Sequence, residues 1–287
     1  MPDSHVMALA DGRDLGWLEL GDPGGYPVLC FHGTPGSRLQ LALDDAPLRA
    51  AGIRLVFCDR PGYGLSTFQV DRRLVDWPGD VAQLADHLGL ERFSVMGISG
   101  GGPHAAVCAA LLPERVQRAA IVSGVGPMSS PGASEGMTRS NQVIARLALR
   151  KSRILGLGAA LQMGAVRRWP ERLIPLMERQ LPQADVDVIS RPEIRTLFVD
   201  DARRMSRTAS RAMVQDFELF ASDWGFELSR IAVPVHLWQG DVDVNVPPSH
   251  AVLLHHAIPG SVLHECPGEG HFLVVDHLVE ITTAIRP

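Results

Sequence analysis

From about residue 27 to residue 124, short apolar runs alternate with stretches in which apolar side chains return every three or four positions. "PVLCFH" (27–32), "IRLVFCD" (53–59), "FSVMG" (93–97) and "VQRAAIVSG" (116–124) end in Gly, Asp or His, a pattern suited to strands buried on both faces. Between them, "WPGDVAQLADHLGL" (77–90) spaces Val81, Leu84, Ala85 and Leu88 along one helical face, with Pro78 near its start and Gly89 at its end. Strand, helix, strand in this rhythm predicts a mostly parallel sheet with right-handed crossovers. Upstream, "VMALADGRDLGWLELG" reads as a hairpin turning at Asp11-Gly12, an antiparallel edge.

The rhythm breaks at residue 127. Residues 127–225 hold no convincing strand pattern; they open on the loop-like "PMSSPGASEG" and continue as arginine-rich helical segments such as "NQVIARLALRKSRILGLGAALQMGAVRRW". Strand pattern returns at "VPVHLWQG" (233–240) and "SVLHEC" (261–266), with "HAVLLHHAI" between them as a helix. The predicted organisation is an α/β core built from residues 1–126 and 226–287, interrupted by an all-helical cap at 127–225.

Composition narrows the class. An apolar content of 46% with 21% charged residues belongs to a folded globular chain. A net charge of −5 and a pI near 6.1 give no basic footprint for nucleic acid. No run approaches the roughly 18 apolar residues needed to span a bilayer, and the first residues lack a secretory pattern. A cytoplasmic protein without a membrane partner is therefore expected. Cys30, Cys58, Cys108 and Cys266 share no C-x-x-C spacing and sit largely in apolar runs, which predicts buried free thiols rather than metal ligands.

The chemistry is concentrated in "SVMGISGGGPHAA" (94–106). A strand ending at Gly97 and a helix starting near Gly101 put Ser99 on the turn between them, in the G-x-S-x-G spacing that lets a nucleophile project beyond a sheet. The helix that follows directs its free N–H groups toward the same place. A serine needs a base. His271, in the glycine-rich "PGEGHFLVVD", is the candidate; His104 lies one helical turn past Ser99 and reads as packing. The base needs an acid. "LWQGDVDVNVPP" offers Asp241 and Asp243, of which Asp243 is far enough past the strand to turn inward and Asp241 suits a turn.

The order Ser99, Asp243, His271 resembles that of the α/β-hydrolase superfamily. "FHGTPGS" (31–37) is similar to its H-G-x-P loop, "DRPGYGLS" (59–66) to the turn after its fourth strand, "GDVDVNVP" to its acid loop and "GEGH" to its base loop. The resemblance covers nearly all of the chain outside 127–225. It implies a sheet of about eight strands flanked by helices, with the cap inserted between strands 6 and 7. It also implies a second oxyanion donor, the backbone N–H of Thr34, beside that of Gly100, and a structural role for His32. The Thr34 hydroxyl is expected as a further donor at that position.

The implied reaction is acyl transfer through an acyl-enzyme, with a small-molecule acyl substrate and neither metal nor organic cofactor. Serine at the elbow, and the lack of tyrosines in 127–225, argue against epoxide opening. Proline-releasing aminopeptidase activity would need cap carboxylates such as Glu135, Glu171, Glu178, Glu193 or Glu218 for the substrate amine. Carbon–carbon hydrolysis and perhydrolysis use the same triad, and a small-molecule receptor would share its motifs. Ester cleavage is the primary expectation. Leu155, Leu157, Leu161, Met163, Val166 and Trp169 offer apolar surface for roofing an acyl pocket or for sealing the cap, and Arg167, Arg168, Arg203 and Arg204 read as a solvated face. Cap helices are also a place where two copies could pair.

Overall fold

The computed structural model describes residues 3–150 and 152–287. Eight strands form one sheet in the order β1-β2-β4-β3-β5-β6-β7-β8. β1 (Ser4–Ala8) and β2 (Asp14–Gly21) make the expected hairpin, and β2 also pairs antiparallel with β4 (Ile53–Cys58). β3 (Tyr26–Phe31), β4, β5 (Phe93–Ile98), β6 (Val116–Val122), β7 (Val235–Gly240) and β8 (Val262–Cys266) run parallel.

The apolar runs have no polar face because both sides of the sheet are covered. Leu29 and Phe31 of β3 pack on the side of α2 (Trp77–His87), α3 (Gly102–Leu111) and α10 (Pro248–Ala257). Val28 and Cys30, one residue out of phase, pack on the side of α1 (Ala46–Ala50) and α11 (Val274–Ala284). All four cysteines are buried and free.

Between β6 and β7 the chain forms only helices among the described residues. The α-helices among them are α4 (Arg139–Leu149), α5 (Arg153–Arg168), α6 (Pro170–Glu178), α7 (Gln183–Ile189), α8 (Pro192–Arg204) and α9 (Ala209–Phe220), followed by a short 3-10 turn at Leu228–Arg230. The single long segment of the sequence pattern thus divides into α4 and α5, with Ser152 capping α5 by accepting from the Ile154 N–H. Prolines at the first turn open α6 and α8. This helical insertion rests on the core through two apolar clusters, one joining Tyr63 to Ala209, Ala212 and Met213, the other joining Phe220 to Val125 and Val246.

Strand order sets the location of the site. β4 lies on one side of β3 and β5 on the other, so the loops after β3 and β5 diverge at their carboxyl ends and leave a crevice between them. Thr34 follows β3 and Ser99 follows β5.

Candidate active site

Ser99 stands between β5 and α3 with φ of 53°, a left-handed conformation that a residue with a side chain holds only where its surroundings enforce it. The surroundings do so. A Cβ on Gly97 would overlap the Gly101 carbonyl, and one on Gly101 would overlap the Phe31 carbonyl. The Ser99 carbonyl accepts the Val125 N–H at 3.1 Å, tying the elbow to the chain leaving β6. Its side chain remains partly exposed at the carboxyl edge of the sheet.

Acid and base meet at the same edge. His271, on the loop after β8, donates Nδ1–H to Asp243 Oδ2 at 2.7 Å. Asp243 is buried beyond β7, and its Oδ1 accepts the N–H groups of Asn245 and Val246 at 2.8 and 2.9 Å. Those two bonds fix the carboxylate's orientation. With Nδ1–H engaged, the neutral ring keeps its lone pair on Nε2, the nitrogen a serine proton would reach. Burial opposes charge on the His271 imidazole, but the carboxylates of Asp243 and Asp185 hold its pKa above the ordinary histidine value. Asp241 instead accepts the Gly268 N–H at 2.7 Å and fastens the base loop. The structure brings Asp243 and His271 together; Ser99 Oγ makes no hydrogen bond to either among the described residues. Catalytic hydrogen bonds of this kind are often long without substrate.

The loop after β3 lies against the elbow. A Cβ on Gly33 would come within 3.3 Å of Ser99 Cβ, and one on Gly100 would collide with the Thr34 side chain. The Gly100 N–H belongs to the first turn of a helix, where intrahelical partners are lacking. Among the described residues the Thr34 N–H has no acceptor. His32 is structural: it is fully buried, its Nδ1–H donates to the Gly33 carbonyl at 2.8 Å, and its Nε2 accepts the Arg60 N–H at 3.0 Å. His104 is a packing residue as well, with Nδ1–H donating to the Gly100 carbonyl at 3.0 Å.

The Thr34 hydroxyl, expected as a further oxyanion donor, is committed elsewhere. It donates to Asp216 Oδ2 at 2.7 Å and accepts from Arg60 Nη2 at 2.7 Å. Asp216, on α9, is fully buried and also receives Arg60 Nη1 at 2.6 Å, the Tyr63 hydroxyl at 2.8 Å and Arg72 Nη2. Burial alone would raise its pKa; the guanidiniums of Arg60 and Arg72 hold it well below the usual carboxylate range. Arg60 further donates to the carbonyls of His32 at 3.1 Å and Gly33 at 2.9 Å. Sequence reading took "DRPGYGLS" as a turn and missed this cluster. Arg60 and Tyr63 inside an otherwise tight turn were the available signal; Asp216 looked like any polar helix position.

Residues 26–278 match the sequence profile of the family described as alpha/beta hydrolase fold. The chain belongs to that family. Over 278 residues, 91% of this chain and 90% of the relative, it is 27% identical to the hydrolase YcgS of Bacillus subtilis. It is 35% identical over 116 residues to the dihydrolipoyllysine-residue acetyltransferase component of the acetoin cleaving system of Pseudomonas putida, spanning 40% of this chain but only 31% of that protein. A solved bromoperoxidase from Bacillus anthracis superposes with a TM-score of 0.72 at 20% identity, covering 99% of this chain and 98% of the other, a likeness of fold.

In this alpha/beta hydrolase the insertion also reaches the base loop. Asp185 of α7 is buried, and its Oδ1 accepts the Phe272 N–H at 3.0 Å. Gly270 approaches so closely that any Cβ there would overlap the Asp185 carboxylate. Oδ2 is buried without a partner, and burial raises the pKa of the group. No sequence signal set Asp185 apart. Among the proposed amine-binding carboxylates, Glu171 and Glu178 are instead paired with Arg203 and Arg195. Of the apolar residues offered as a pocket roof, Leu155 and Met163 are buried, whereas Leu157, Leu161 and Trp169 face solvent. One trio, Cys266, Glu269 and His277, gathers metal-ligand atoms within 4.8 Å, but His277 is already held by Glu269 and Glu280 at 2.8 Å each.

Proposed function

We propose that this chain is a serine hydrolase cleaving carboxylic esters of small or medium apolar substrates through an acyl-enzyme. The observation that supports it most is the 2.7 Å hydrogen bond between His271 and Asp243 at the sheet edge where the strained elbow presents Ser99. His271 Nε2 takes the Ser99 proton as Oγ attacks the acyl carbon. The oxyanion is received by the N–H groups of Gly100 and Thr34, each donor of this type being worth about 2.7–4 kcal/mol of barrier. The imidazolium then protonates the leaving alkoxide. A water activated by the same nitrogen releases the acid and restores Ser99. In this reading residues 127–225 are a cap over the core of residues 1–126 and 226–287.

Steady-state turnover of short p-nitrophenyl esters tests the proposal. Many turnovers per chain, abolished in Ser99→Ala, support it; a single stoichiometric burst marks a hydrolase-like receptor instead. Lactones and aminoacyl amides run beside the esters at equal enzyme concentration separate ester from amide cleavage.

A further inference from the structure

α5 is apolar on two nearly opposite sides. Leu155, Ala159 and Met163, four residues apart, are buried, and Ala159 and Met163 pack with residues of α9. Ile154, Leu157 and Leu161, spaced by three and four, form a second stripe that is 67–69% exposed. A helix resting on a core needs one stripe, and single exposed leucines are ordinary; three aligned on one helix mark a contact surface. Trp169, directly after α5, is half-exposed with the Arg168 guanidinium 5.6 Å from its ring centre. The neighbouring α4 and α6 pack on α5.

Charge is segregated onto the same segment. Residues 139–179 hold nine arginines or lysines against two acids, Glu171 and Glu178, while the rest of the chain holds 18 basic and 30 acidic residues. Both glutamates are already paired, with Arg203 and Arg195 of α8. Among the described residues, no carboxylate pairs with Arg146, Arg150, Arg168 or Arg172.

We infer that the α4–α6 face docks peripherally on an anionic lipid surface. Ile154, Leu157, Leu161 and Trp169 enter the boundary between headgroups and acyl chains, and the surrounding arginines meet the lipid phosphates. A second copy of the chain is a poorer occupant, because a two-fold contact sets this positive face against itself. The acidic remainder of the molecule is repelled by the same lipid charge, so docking is oriented with the insertion toward the surface. No helix among the described residues is long and apolar enough to cross a membrane, which fits a chain that lies on one. The absence of a spanning run from the sequence argues against a membrane crossing, and peripheral docking needs no such run. The inference is independent of the ester-hydrolase reading.

The test is co-sedimentation of the full chain with phosphatidylcholine vesicles, with and without about one third phosphatidylglycerol. Binding is expected to be at least about ten-fold stronger to the anionic vesicles and to weaken in high salt. Leu157→Glu combined with Leu161→Glu, both at exposed positions, should abolish it without changing the circular dichroism spectrum. Each arginine removed, Arg146→Ser or Arg150→Ser, should weaken it about five-fold. Absence of a preference for phosphatidylglycerol, or binding undiminished by the double glutamate variant, overturns the inference. So does a solution dimer that the double variant converts to monomer, since the face is then a self-association interface.

Discussion

Two guanidiniums, a carboxylate and a phenol are packed out of water directly behind Thr34, and among the described residues Asp216 is the one carboxylate paired with both guanidiniums. Asp216→Asn would leave Arg60 and Arg72 buried without a counter-charge. It should lower stability by about 3–5 kcal/mol, read as a lower urea midpoint. The side chains proposed to carry or tune the reaction give different readouts. Asp243→Asn, which keeps the shape but reverses the hydrogen bond to Nδ1, should leave the fold intact and lower kcat on p-nitrophenyl esters by about four orders of magnitude. Because Asp243 and Asp185 raise the His271 pKa, and only the neutral ring accepts a proton, kcat/KM should fall as pH drops through a midpoint above 6.5. Asp185→Asn preserves the acceptor for the Phe272 N–H but removes one negative charge, so that midpoint should move down. An unmoved acid limb would show that Asp185 does not act on the imidazole.

Elements differ in how plainly the sequence announced them. β3 to β6 were legible because helices cover both faces of the sheet, leaving runs such as "PVLCFH" with no polar side to confuse the pattern. The loop positions of Ser99, Asp243 and His271 were legible for a related reason: each lies within about five residues of the carboxyl end of a strand, β5, β7 and β8 respectively, so spacing from the apolar run locates it. The insertion was less readable. α4 and α5 share one continuous helical pattern, and α5's two apolar stripes merge into one along the linear sequence, so the exposed Leu157 and Leu161 carry the same pattern as the buried Leu155. Asp185, Asp201 and Asp216 ride on α7, α8 and α9 as ordinary polar positions, and only packing against the core distinguishes them. α8 carries its own testable consequence. Asp201 accepts the Ser37 hydroxyl, and burial pushes its pKa from 3.8 to about 6. A carboxyl that binds its proton more tightly when folded contributes most stability below pH 3.8, and that contribution is lost as pH rises through 6. Asp201→Asn should therefore stabilise the chain by about 2 kcal/mol at pH 8, with the difference vanishing in acid, measured by denaturant unfolding across pH.

At the scale of the whole molecule, Thr34, Ser99, Asp243 and His271 come from distant parts of the chain and share one edge because parallel strands deliver all their carboxyl ends to the same side. That convergence follows from the βαβ rhythm. What the rhythm does not encode is how the helices between β6 and β7 are fastened to the edge, since no periodicity links Arg60 to a residue on α9. The fastening has a consequence for engineering and for descent alike. Arg60 grips the backbone of the loop at Thr34 with one part of its fork and Asp216 with another, so the helical insertion and the sheet beneath it are not interchangeable parts. A shortened chain lacking the insertion, or one carrying the insertion of a relative, would leave Arg60 and Arg72 without their counter-charge unless the replacement delivered an anion to the same spot. Swapping specificity between relatives should therefore succeed only where donor and host agree on that single buried handshake.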